Sequence, residues 1–131
     1  MMNQFEKLTI WQDSLDLAVE IYNTTKQFPK EELYGLTSQM RRCANSIPSN
    51  IAEGSCRNND GEFKHFLGIA SGSSGELKTQ LIISQKLSLI TEKEYEAFSN
   101  KIESIQKRNY MLQRKLEERI KTKKVNSKSG T

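Results

Sequence analysis

From Tyr95 onward, apolar side chains return at every third or fourth position: Tyr95, Phe98, Ile102, Ile105, Leu112, Leu116 and Ile120, with Asn109 in the same row. Steps of three and four hold one face of an α-helix in a constant direction, whereas a strand requires alternation. Thr91 followed by Glu94 makes a capping box, T-E-K-E, that marks where this helix starts. A helix of about thirty residues is about 45 Å long and cannot bury such a seam alone. It needs antiparallel neighbours of similar length, crossing at the shallow angles of a coiled coil.

The rest of the chain supplies them. Leu8, Trp11, Leu15, Ala18 and Tyr22 predict a first helix from Leu8 to Lys26, ended by Phe28-Pro29. Leu36, Met40, Cys43, Ile47 and Ile51 predict a second, starting between Lys30 and Leu33 and stopping near Gly54 and Ser55. Pro48 lies inside it, and because the stripe keeps its phase across the proline, a kink is expected. The turn Arg57-Asn58-Asn59-Asp60-Gly61 leads to a third helix, capped by Asn59 or Asp60 with Glu62 in its first turn and running to about Leu89. This third helix carries two stripes. Phe63, Phe66, Leu67, Ala70, Ser74, Leu77 and Leu81 form one; Ile69, Gly72, Ile83 and Leu87 lie nearly opposite. One buried face satisfies a four-helix bundle, so the second points to contact with another subunit.

The expected fold is all-α: an antiparallel up-down-up-down four-helix bundle with long helices and a kinked second helix, one domain over residues 1–122. Residues 123–131 have no apolar pattern and are expected to form a disordered basic tail. Only two prolines leave the helices uninterrupted. Cys43 and Cys56 belong to no metal-ligand spacing and, thirteen residues apart, would stand about 20 Å apart on one helix, so both are expected as reduced thiols. The chain shows no signal-peptide pattern and no apolar stretch of spanning length, so a soluble cytoplasmic protein without membrane contact is expected.

The second helix also bears a polar row, Gln39, Arg42, Ser46, Asn50 and Glu53, beside its apolar stripe. Three readings stand: a structural network between helices or subunits, a solvated face, or a ligand site. The short side chains favour the network. On the third helix, Ala70-Ser71-Gly72-Ser73-Ser74-Gly75-Glu76 lacks the spacing of a phosphate loop, and its small residues point to close approach of another helix. Glu76 is then the expected partner of Arg42. Glu62-x-x-His65 has the form of a di-iron ligand pair, but such sites need two histidines and the chain has one. A lone histidine likewise assembles no convincing triad. No catalytic residue, cofactor, metal or small-molecule substrate is expected, and the protein is read as no enzyme.

Charge divides the chain. Residues 101–131 hold ten Lys and Arg against three Glu, whereas the first hundred residues are net acidic. Lys107, Arg108, Arg114, Lys115, Arg119, Lys121, Lys123 and Lys124 are therefore the candidate nucleic-acid contacts, with Tyr110 able to stack on a base.

Trp11, Phe28-Pro29, Gln39-Met40-Arg41-Arg42, the block Ser46-Ile47-Pro48-Ser49-Asn50-Ile51-Ala52-Glu53-Gly54, and Ile69-Ala70 with Gly72-Ser73 and Glu76-Leu77 together carry a resemblance. Over roughly residues 5–120 the chain resembles the 23S rRNA-intervening sequence proteins, a family of four-helix bundles, and the block from Ser46 to Gly54 is its most specific part. The resemblance implies a ring-like homopentamer in which Arg42, Asn50, Glu53 and Glu76 are signature polar positions serving assembly, with Gln39, Ser46, Gly72 and Ser73 beside them. The chain is also similar to the accessory variability protein of diversity-generating retroelements. That similarity implies RNA, DNA or a reverse-transcriptase-like protein as partner. Two functions follow as expectations: a homo-oligomeric bundle that binds RNA or a ribonucleoprotein through a basic surface, or an oligomeric scaffold that docks a protein partner without nucleic-acid contact.

Overall fold

The computed structural model describes residues 4–129. Four helices account for most of them: α1 (Thr9–Thr25), α2 (Ser38–Ser55), α3 (Asp60–Lys86) and α4 (Glu92–Ser129). α1 packs on α2, α2 on α3, α3 on α4 and α4 back on α1, which is the cyclic neighbour order of an up-down-up-down bundle. Leu17, Ile21, Met40, Ile47, Ile51, Leu67, Leu77, Leu81 and Ile102 fill its axis with essentially no exposure.

Local chemistry sets most of the boundaries as expected. The Asn59 side chain accepts from the Glu62 amide at 2.9 Å and caps α3. Thr91 and Glu94 exchange side-chain to backbone hydrogen bonds at 3.0 Å, completing the capping box of α4. α3 ends at Lys86 with Leu87 as its cap, and the next residue, Ser88, has a φ of 60° in the left-handed region. There the Leu89 amide donates to the Ser84 carbonyl and the Ser88 amide to that of Gln85, the paired bonds of a Schellman cap.

Three features of the helices differ from expectation. The buried face of α1 is Ile10, Ser14, Leu17, Ala18, Ile21 and Thr25. Leu15 and Tyr22, assigned to the interior by spacing, are 42% and 36% exposed. α1 carries apolar residues over more than half of its circumference, opposite Gln12, Asp13, Asp16 and Glu20, so two phases of the same period compete, and packing chooses between them. Ser14 and Thr25 enter the chosen face without loss, because their hydroxyls donate to the Trp11 and Ile21 carbonyls at 2.9 and 2.7 Å.

The irregularity of the second segment lies ahead of α2. A π-type turn, Leu33–Thr37, precedes the helix, and Gly35 within it leaves helical geometry (φ −117°, ψ −109°). α2 itself runs without interruption through Pro48. α2 ends at Ser55, where the stop was expected, and Gly54 is buried in its last turn. A Cβ there would meet Phe66 Cβ at 2.8 Å, Phe63 Cδ1 at 3.0 Å and the Phe63 carbonyl at 3.2 Å. Glycine at 54 therefore lets α2 and the start of α3 touch backbone to side chain.

α4 keeps the expected seam, with Phe98, Ile102, Ile105, Asn109 and Leu116 buried. The helix continues past Lys121 to Ser129, through most of the stretch expected as a disordered tail. Residues 121–128 are all exposed, in keeping with their lack of an apolar pattern. Gly130 and Thr131, the end of that expected tail, lie outside the described residues.

Candidate functional site

The polar row of α2 splits on folding. Gln39, Arg42 and Glu53 are exposed, while Ser46 and Asn50 are half-buried against α3. The Ser46 and Ser73 hydroxyls share a hydrogen bond of 2.8 Å across the two helices. Asn50 Nδ2 donates back to the Ser46 carbonyl and hydroxyl at 2.8 and 2.9 Å, holding the bridge in place. Glu53 turns the other way and pairs with Arg57 at 2.7 Å. Ser46 and Asn50 are thus tied to Ser73 in a hydrogen-bonded bridge between α2 and α3, while Gln39 and Arg42 face solvent.

Glu76 does not receive Arg42. It accepts instead from the Cys43 thiol, with Sγ 3.0 Å from Oε2, and Arg42 forms no ion pair among the described residues. Cys43 lies on the buried stripe of α2 and faces α3, whereas Arg42 is one position round and points to solvent. Burial, reinforced by the Glu76 carboxylate, pushes the Cys43 thiol up to about 11. Spacing did not single out Gln80, which donates Nε2 to Cys43 Sγ at 3.5 Å and is buried. Ser84, one turn on, donates to the Gln80 carbonyl at 2.8 Å and lies 3.4 Å from Met40 Sδ. Both sit on the line of Leu77 and Leu81; the buried stripe continued into polar residues would have found them. Cys43 and Cys56 are free thiols.

Gly72 is exposed, and a Cβ at Gly68, Gly72 or Gly75 would meet nothing within 4 Å. These glycines therefore have no close neighbour inside the chain, whereas Ala70 and Ser74 of the same stretch are buried in the bundle and Ser73 meets Ser46 of α2. Ile69, Ile83 and Leu87, the second stripe of α3, are 40%, 43% and 57% exposed. His65 is exposed and stands edge-on to the Phe66 ring.

The basic residues of α4 fall into two rows and a residue held inward. Lys107, Tyr110, Arg114 and Lys121 follow one outer face at helical spacing. Arg114 stacks over the Tyr110 ring, 5.9 Å from its centroid, and its pKa is raised by the hydrogen bond to the Tyr110 hydroxyl. Lys115, Arg119 and Lys123 step by four toward the start of α3, where Asp60 Oδ2 lies 3.3 Å from Arg119 and 3.7 Å from Lys123. Lys124, three positions beyond Lys121, is exposed at the edge of that outer face. Arg108 is spent inside the molecule, on Asp13 at 2.6 Å and Thr9 at 3.1 Å. Lys101 likewise pairs with Glu20, so α4 meets the acidic α1 through ion pairs.

No helix of the described residues is long and apolar enough to cross a membrane. No curated protein matches the chain. Among solved structures, a protein of unknown function from the S23 ribosomal protein family of Bacteroides thetaiotaomicron is similar, at 26% identity and a TM-score of 0.75. The match covers 81% of this chain and 96% of that one. The model of the 23S rRNA-intervening sequence protein family matches residues 6–111, through α1, α2, α3 and the first half of α4, and the chain belongs to that family.

Proposed function

We propose that the protein is a non-enzymatic homo-oligomer, a homopentamer by its resemblance, that binds RNA or a ribonucleoprotein through the basic surface of α4. The observation that carries this reading is the uncompensated charge of that helix. Lys107, Lys115, Lys121 and Lys124 are exposed and form no ion pair among the described residues. Elsewhere the net charge is acidic, so the cations are concentrated where a phosphate backbone would gain most. The outward Ile69, Ile83 and Leu87 of α3, with Gly72 among them, support self-association through that helix.

A filter-binding titration of single-stranded RNA at rising salt tests the reading. Affinity should fall steeply between about 50 and 200 mM salt, because each neutralised phosphate releases a counterion. Absence of binding at low salt would refute it. The alternative, a scaffold that docks a protein partner or a reverse-transcriptase-like protein without nucleic acid, draws support from Arg108 and Lys101, whose charges are engaged by Asp13 and Glu20 of α1. Stoichiometric co-purification of a protein, with no nucleic-acid absorbance, would favour it.

A further inference from the structure

Where the start of α3 meets the outer half of α4, the surface dips into a pocket of about 390 Å³. That is within the size range of small-ligand sites, about 300–1,000 Å³. Its rim is cationic: Arg57 from the α2–α3 turn, and Lys115 and Arg119 from α4. Its floor is apolar, formed by Leu8, Phe63 and Leu112, each half-buried. The acid in its wall is Asp60, whose Oδ2 is buried and draws Arg119 and Lys123 to the mouth. Arg57 is fixed at the opposite edge by Glu53 and by the Phe66 ring, 5.2 Å below its guanidinium.

A cationic rim around an aromatic and aliphatic floor matches the two halves of a nucleotide. The phosphate needs donors and positive charge, and the base needs a flat apolar surface on which to stack. A free phosphate would use only the rim, and an apolar ligand only the floor. We propose that this pocket takes one unpaired nucleotide of a single-stranded RNA. Lys115 and Arg119 hold its phosphate, and its base lies against Phe63. The rest of the strand then runs along the outer face of α4. The proposal rests on the RNA reading above and specifies where on the molecule a base is unstacked.

The test uses the full chain and a fluorescein-labelled twelve-residue oligouridine, read by fluorescence anisotropy. Lys115→Ala with Arg119→Ala is compared with Lys107→Ala with Lys121→Ala, which removes the same charge from the other row of the same helix. The pocket pair should weaken binding about tenfold more than the control pair. Phe63→Leu, which leaves the charge unchanged, should weaken it by about tenfold with no change in salt dependence, because only stacking is lost. Phe63→Tyr, which keeps a ring, should restore binding to within about twofold. Thermal melts by circular dichroism confirm that each variant is folded. Equal loss in the two charge pairs, or unaltered binding by Phe63→Leu, would overturn the pocket while leaving the surface reading intact. Failure of the unmodified protein to bind would overturn both.

Discussion

Cys43 shows how one side chain records its surroundings. Its thiol is held neutral by burial and by the Glu76 carboxylate, at a pKa of about 11 against 9.0 when free. The folded state therefore keeps a proton that the unfolded chain gives up. The resulting stability is fully present below about pH 9 and is lost as pH rises toward 11. Melting temperature measured across that window should fall more for the native protein than for Cys43→Ala, and parallel curves would contradict it. Ellman's reagent near neutral pH should label exposed Cys56 well before Cys43. At Gly54 the constraint is steric. Gly54→Ala places a methyl against Phe66 Cβ and the Phe63 carbonyl, and should cost about 1–3 kcal/mol in urea unfolding. The glycine was legible as a boundary signal, but its neighbours come from another helix and no local rule names them.

At the scale of elements, α3 and its C-terminal cap each hold a position where another residue would suit the isolated bundle better. Ser88 closes the helix at φ 60°, a conformation that favours glycine. Ser88→Gly should stabilise the protein by about 1 kcal/mol, read as a higher denaturation midpoint. Gly72 lies in open space in the helix interior, where alanine is worth about 1 kcal/mol more. Gly72→Ala should raise the stability of the isolated bundle yet weaken self-association, because the outward face of α3 is the proposed subunit contact. Urea unfolding at low concentration and sedimentation at high concentration separate the two effects; unchanged assembly would remove Gly72 from the interface. The caps of α3 and α4 were readable because Asn59, Thr91 and Glu94 bond within four residues of themselves. The exposed face of α1 was misplaced because Leu15 and Tyr22 satisfy the same period as Leu17 and Ile21.

The whole molecule joins an acidic α1 to a basic α4. Part of the basic charge is consumed internally by Asp13 and Glu20, and part is left outward on Lys107, Lys115, Lys121 and Lys124. Exposed pairs of this kind contribute little stability, about 0–1 kcal/mol each, so the seam between α1 and α4 relies on Leu17, Ile102 and Ile105 more than on ions. The proposed assembly is tested by the mass in solution. Sedimentation equilibrium should give a multiple of 15.0 kDa, five-fold for a pentamer, and a concentration-independent monomer would remove the oligomer from the proposal.

The sequence by itself determined the number of helices, their order, their caps and the interior seams of α2, α3 and α4. These follow from side-chain spacing and from bonds that close within a turn or two. Tertiary structure alone decided which face of α1 is buried, that Cys43 rather than Arg42 meets Glu76, and that Gly54 is a contact point. It also brought Arg57 of the α2–α3 turn, Phe63 at the start of α3, and Lys115 and Arg119 in the second half of α4 to the edge of one pocket. Periodicity fixes a side chain's direction relative to its own helix axis only. Which side chains meet across helices depends on how each helix is rotated and shifted against its neighbours, and only the packed core sets that.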